Sequence, residues 1–180
     1  MKIAGCLLVA AFAQTTLPKT WPRLGHLDWL LLVTVYIGLM RDPAQALLTG
    51  TAAGVLQDAS SIGPIGVSGL AKVLAGYLAY WISSKVYVEG VLVRLMTLAG
   101  ASVINTLTIY SFYRMLGFDL PLYQANGLML AIGVNLLANL AVSVPLFLAL
   151  DRLFKTGVRQ RSRRAEAMRG MRRRRWKKMI

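Results

Sequence analysis

The sequence contains little of the chemistry from which catalytic and metal sites are usually built. Among its 180 residues there is one cysteine, Cys6, and one histidine, His26. A single cysteine excludes an internal disulfide and a cysteine-based zinc site, and a single histidine excludes a metal site made of histidines. No Ser-His-Asp set, phosphate-binding loop or pair of buried carboxylates can be recognised. We therefore expect a protein that is not an enzyme and that holds no cofactor and no metal ion.

Charged residues are also scarce, at 16% of the chain, whereas hydrophobic residues make up 56%. Such a composition is too apolar for a soluble domain of this size. A transmembrane helix needs about 20 apolar residues, or fewer where flanking groups thin the bilayer. The sequence thus predicts an all-α, polytopic membrane protein, with a compact bundle of about six transmembrane helices in residues 1–151. The six candidate spans lie at about 3–17, 28–40, 44–57, 67–84, 91–112 and 127–150.

The first of these spans also has the features of a cleavable signal peptide. Lys2 precedes an apolar stretch, and Ala11-Phe12-Ala13 precedes Gln14. Cleavage would leave five spans, with the new N-terminus outside and the C-terminus still inside. We favour retention of the span, because the connection that follows it has the length of a tight loop to the second span.

The excess of positive charge is confined to the C-terminus. Of the 21 lysines and arginines, 13 lie in residues 152–180, against a single acid, Glu166. A block of lysine and arginine directly after a span stays in the cytoplasm, so we expect a disordered basic cytoplasmic tail at 152–180. Basic residues at a membrane surface bind anionic lipid, and nucleic acid is not an expected partner of a chain anchored in the bilayer. The expected contacts to lipid headgroups are Arg159, Arg161, Arg163, Arg164, Arg172, Arg173, Arg174 and Arg175.

Two charged residues, Asp58 and Lys72, interrupt the apolar pattern of the third and fourth spans. A charge near the centre of a bilayer costs about 2.5–3.5 kcal/mol even on a lenient insertion scale. One interpretation is an aspartate at the interface and a lysine that extends its stem towards water. The other is a buried pair of Asp58 and Lys72, which the helical spacing favours because Lys72 shares a face with Gly69 and Gly76.

Small residues and amides indicate where the helices pack. Small residues let two membrane helices approach closely, and amides form hydrogen bonds between helices. Alternatively, the amides could line a polar ligand cavity. The expected packing set is Gly50, Gly54, Asp58, Gly63, Gly66, Gly69, Lys72 and Gly76, and the expected polar face is Asn105, Asn135 and Asn139.

The stretch from Leu27 to Ala79 resembles the rod shape-determining membrane protein family MreD. The family pattern is a leucine-rich second span, a basic stop, a span that ends in Gly-x-x-x-Asp, a short turn with glycine and a helix that ends in Gly-Tyr. Many members open the second span with Pro-Asp-Leu, whereas this chain has Leu27-Asp28-Trp29. The matching positions are Leu30 to Leu32, Arg41, Gly54 with Asp58, Gly63 with Gly66, and Gly76 with Tyr77.

This resemblance implies a non-enzymatic scaffold in the bacterial inner membrane. Proteins similar to MreD pair with MreC, a protein with one span and a periplasmic bulk. The resemblance further implies a complex with the glycosyltransferase RodA and a class B penicillin-binding transpeptidase, and an indirect link to MreB filaments. The function would be to help couple peptidoglycan synthesis to cell shape.

A second interpretation comes from the same resemblance. Members of the family are similar in fold to the substrate-binding S-components of energy-coupling-factor vitamin transporters. S-components typically carry Ala-x-x-x-Ala in the first span, for docking to the transporter. Here that spacing occurs only in the fourth span, at Ala71, Ala75 and Ala79.

Overall fold

The computed structural model describes residues 2–21, 27–61, 64–86, 90–117, 129–130 and 132–154. Within these ranges the chain is all-α, as the sequence predicts. The six helices of the described residues are α1 (Lys2–Thr20), α2 (Trp29–Gly38), α3 (Pro43–Ser60), α4 (Val67–Lys85), α5 (Val91–Met115) and α6 (Ile132–Phe154).

The six helices differ in how well each is suited to cross a bilayer. By length and composition, α5 and α6 are each long and apolar enough to do so. The apolar helix α2 has only ten residues, which is about 15 Å and half the thickness of a hydrocarbon core. Helices α1, α3 and α4 have 19, 18 and 19 residues, and their polar and small residues lower their hydropathy. The predicted spans therefore correspond to six helices of unequal length and polarity, as in a polytopic membrane bundle.

The chain divides into two compact units, Met1–Ser143 and Val144–Ile180. The first unit contains α1 to α5 and the first part of α6. The described part of the second unit is the remainder of α6, residues 144–154. Gly63 and the arginines expected to bind lipid lie outside the described residues.

Aspartates fix the starts of α2 and α3. Asp28 caps α2 by accepting a hydrogen bond from the backbone N–H of Leu31 at 2.8 Å. Asp42 caps α3 in the same way through Gln45, and Pro43 occupies the first turn, where its missing N–H costs nothing. Between the two helices, Arg41 adopts a φ of 65° and donates a hydrogen bond to the carbonyl of Val86, just after α4. The short connection thus places α2 and α3 side by side.

Helix α2 forms the centre of the first unit. All residues from Leu30 to Gly38 are buried, and α2 packs against α1, α3, α4 and α5. A helix that is apolar all round is typical of the middle of a bundle.

Helix α4 has two distinct faces, as the helical spacing predicts. Lys72, Ala79 and Ser83 are completely buried. The opposite face exposes a stripe of large side chains, Leu70, Leu74, Tyr77 and Trp81. Small residues therefore face the other helices, and large apolar residues face outwards.

The helices α3 and α4 approach so closely that Gly50 and Gly54 of α3 leave no room for a side chain. A Cβ atom on Gly50 would lie 2.8 Å from the carbonyl oxygen of Lys72. A Cβ atom on Gly54 would collide with the backbone of Gly69, whereas a Cβ atom on Gly69 would meet nothing within 4 Å. The contact therefore depends on Gly54 and not on Gly69.

We predict that Gly54→Ala destabilises the protein and Gly69→Ala does not. Forcing a methyl group into a packed contact costs about 1–3 kcal/mol, and about 2 kcal/mol would lower the Tm by roughly 4–8 °C. Gly69→Ala should be neutral or slightly stabilising, because alanine favours a helix over glycine. Thermal unfolding of the two purified variants in the same detergent measures both effects, and equal Tm values would contradict the packing asymmetry.

Candidate functional site

Lys72 forms an ion pair inside the bundle. Its side chain is 0% exposed, and its Nζ lies 2.5 Å from Oδ2 of Asp28, whose side chain is 14% exposed. A fully buried ammonium group is costly unless a carboxylate accompanies it. The pair joins the middle of the first half of α4 to the start of α2.

Asp28 makes contacts through both carboxylate oxygens and through its backbone. Oδ1 accepts from the backbone N–H of Leu31, while Oδ2 accepts from Lys72. The neighbouring backbone N–H at this helix start, that of Leu30, donates to Oε1 of Gln14 in α1 at 3.3 Å. The carboxylate also lies at the positive end of the α2 dipole, where a negative charge is stabilising. One aspartate thus serves as helix cap, dipole partner and counter-ion.

Asn139 connects α6 to this site. Its Oδ1 accepts a hydrogen bond from the backbone N–H of Asp28 at 3.0 Å, and its Nδ2 donates to Oγ of Ser102 at 3.0 Å. Asn139 is 1% exposed and Ser102 is 2% exposed. We call Asp28, Lys72, Ser102 and Asn139 the polar core. It joins α2, α4, α5 and α6 within the first unit.

The interpretation that pairs Asp58 with Lys72 is wrong. Asp58 is buried at the end of α3, where Oδ2 accepts from the N–H of Gly66 at 2.6 Å and Oδ1 accepts from the N–H of Ser68 at 3.2 Å. Gly66 adopts a φ of 103°, a conformation that favours glycine, and precedes the first residue of α4. The Asp58 carboxylate therefore caps α4 from the preceding helix and holds the turn between α3 and α4.

The three expected asparagines have different environments. Asn139 belongs to the polar core, and Asn135 is partly exposed one turn earlier on α6. Asn105 is 6% exposed, and its Oδ1 has no hydrogen-bond partner in the part of the chain that the structure describes. The structure therefore brings one of the three into the polar core.

Asp28 and Gln14 appear in the sequence analysis only as parts of Leu27-Asp28-Trp29 and of the first span, with no contact assigned to them, and Ser102 does not appear there. Asp28 carried a usable signal, because an aspartate directly before an apolar helical run is typical of a helix cap. The functions of Ser102 and Gln14 depend on contacts between helices and have no local signal.

The contacts of the polar core hold the helices in position relative to one another. Among the described residues, no group of three histidine, cysteine, aspartate or glutamate side chains could hold a metal ion. The carboxylates of Asp28 and Asp58 each accept hydrogen bonds from backbone N–H groups at or just before the start of a helix. Their bonds fix where α2 and α4 begin.

Comparison with known proteins gives one result. The family model described as rod shape-determining protein MreD matches residues 3–156 of the chain. Neither the curated proteins nor the solved structures contain a match.

We predict that replacing one partner of the ion pair destabilises the protein more than replacing both partners together. Asp28→Asn keeps a capping side chain but leaves the buried ammonium of Lys72 without a counter-ion, and Lys72→Met leaves the carboxylate unpaired. Removing one partner of a buried pair costs about 3–5 kcal/mol. The double variant Asp28→Asn/Lys72→Met contains neither charge and should regain much of that loss.

Thermal unfolding in detergent of the parent, the two single variants and the double variant measures the coupling. Lys85→Met is the matched control, because Lys85 is an exposed lysine at the end of the same helix, and its Tm should match that of the parent. Strictly additive losses in the double variant would show that the two charges do not stabilise each other.

Proposed function

Because the chain belongs to the MreD family of rod shape-determining proteins, we propose that it is a non-enzymatic membrane scaffold of the cell-elongation complex. In this proposal it binds MreC in the inner membrane and helps couple peptidoglycan synthesis to cell shape. RodA and a class B penicillin-binding transpeptidase belong to the same complex, and MreB filaments are linked to it indirectly.

The polar core supports a scaffold because it gives the bundle one fixed arrangement. Four helices are joined by an ion pair and two side-chain hydrogen bonds whose atoms are buried or nearly so. Polar contacts of this kind stabilise the association of membrane helices. A protein that positions its partners needs such a fixed frame, and it needs no reactive side chain.

The exposed face of α4 is the surface that we assign to the single span of MreC. Leu70, Leu74, Tyr77 and Trp81 follow one another at intervals of four, three and four residues, and each is 43–52% exposed. This spacing matches the seam along which one helix packs against another. Tyr77 also lies against Tyr80, with ring centroids 5.9 Å apart, so part of the surface is already ordered.

The proposed orientation places the C-terminus in the cytoplasm. The block of lysine and arginine in residues 152–180 favours the cytoplasmic side and binds anionic lipid there. With six spans the N-terminus is also cytoplasmic. Residues 1–151 then form the transmembrane bundle and residues 152–180 the basic tail.

We predict that a photoreactive phenylalanine analogue at Tyr77 or Trp81 forms a covalent adduct with MreC in native membranes. The same analogue at Phe12 is the matched control, because Phe12 is an apolar residue of α1 that is 71% exposed. Adducts are identified by affinity purification of the tagged chain and mass spectrometry.

The crosslinking results test the proposed function and the proposed MreC-binding surface separately. Adducts of MreC at Phe12 but not at Tyr77 or Trp81 would keep the scaffold and refute the α4 surface. Recovery of ATPase and transporter subunits in place of MreC would refute the scaffold in favour of an S-component.

A further inference from the structure

A cavity of about 520 Å³ lies between α1, the start of α2 and the end of α3. Its volume is within the range of about 300–1,000 Å³ that is typical of small-molecule sites. It is separate from the proposed α4 surface, because no residue of α4 lines it. The residues that line it include Gln14, Thr15 and Lys19 of α1, Gln57 and Ser60 of α3, and Ser61, which directly follows α3.

The hydroxyl groups around the cavity offer acceptors to a ligand. Thr15 donates its proton to the carbonyl of Ala11, Ser60 donates to Leu56, and Ser61 lies 3.5 Å from the carbonyl of Asp58. A hydroxyl that donates to its own helix retains its oxygen lone pairs. A ligand that uses these oxygens must therefore bring O–H or N–H groups.

Gln57 provides a second and independent observation. Its Oε1 atom is buried and has no hydrogen-bond partner among the described residues. A buried acceptor without a donor has lost its hydrogen bonds to water without replacement, which is unfavourable, so this oxygen needs a partner. A donor group in the cavity would supply it.

The cavity lies near the membrane surface. Trp21, which is 67% exposed, follows α1 directly, and tryptophan is enriched at the level of the lipid headgroups. Lys19 is also exposed and lines the cavity. Gln14 is seven residues before Trp21 and therefore lies about 10 Å deeper along the helix. The cavity thus extends from headgroup level into the bundle, with a cation near its outer end.

From these observations we propose that the cavity binds the headgroup of an anionic, hydroxyl-bearing phospholipid, a glycerol phosphodiester such as that of phosphatidylglycerol. The phosphate lies near Lys19, and a headgroup hydroxyl donates to Oε1 of Gln57. A choline headgroup has no donor for this oxygen. An ethanolamine headgroup has a donor but brings a second positive charge towards Lys19. The assignment of this site does not rest on the binding of MreC.

The test is a titration of the delipidated full-length chain with short-chain phosphatidylglycerol, phosphatidylethanolamine and phosphatidylcholine. Native mass spectrometry counts the lipids bound to each chain. Gln57→Leu removes the acceptor and should weaken the tightest phosphatidylglycerol site about tenfold. Lys19→Gln should reduce the preference for phosphatidylglycerol over phosphatidylethanolamine. Thr51→Val is the matched control, because Thr51 is an exposed polar residue of the same helix outside the cavity, and it should bind like the parent.

The basic tail provides an internal reference in this titration. Any binding of anionic lipid by the tail should be the same in the parent and in Gln57→Leu, so only the difference between the two reports the cavity. Unchanged binding in Gln57→Leu, or an equal loss of phosphatidylcholine and phosphatidylglycerol binding in that variant, would overturn the proposal. Displacement of the lipid by an equal concentration of sn-glycerol 3-phosphate would assign the cavity to a soluble ligand and overturn the lipid assignment.

The thermal stability of the lipid-free variants distinguishes binding from a structural function of Gln57. Without ligand, Gln57→Leu replaces an unpaired buried oxygen with an apolar group, so its Tm should equal or exceed that of the parent. A lower Tm of the lipid-free variant would make Gln57 a structural residue and contradict the proposal.

Discussion

The ion pair between Lys72 and Asp28 is the interaction on which the arrangement of the bundle depends. A completely buried ammonium group cannot be left without a counter-ion, so α2 must begin where α4 places Nζ of Lys72. The same carboxylate caps α2, and its backbone N–H donates to Asn139. One residue therefore fixes the start of α2, its position relative to α4 and its contact with α6.

The separation of small and large side chains on α4 explains why the charge is buried and why one face of the helix stays exposed. On the inner face, glycines bring the backbones of α3 and α4 so close that a single Cβ would collide. Such a contact excludes water, so the lysine must find its partner within the protein. On the outer face, Leu70, Leu74, Tyr77 and Trp81 remain exposed. The inner face thus determines the shape of the bundle, and the outer face is free to meet another helix.

Gln14 links the polar core to the cavity. Its Oε1 accepts from the N–H of Leu30 at the start of α2, and both residues also line the cavity. A headgroup in the cavity would therefore lie beside the helix start that Asp28 caps. A bound lipid would then be the neighbour of a helix end and of a buried ion pair, and Leu30 at the start of α2 forms part of the cavity wall.

The sequence by itself determined the all-α class, the membrane character, the inward face of α4 and the family. These follow from hydropathy and from the 3.6-residue period, which are properties of short segments. It did not determine the partner of Lys72, since Asp58 lies 14 residues before it along the chain and Asp28 lies 44 residues before it, and hydropathy does not choose between them. Only the tertiary structure decided this, because the turn before α4 occupies both oxygens of Asp58, and the start of α2 brings Asp28 to the ammonium group. A long-range ion pair depends on which helix ends meet in space, and no local pattern encodes that.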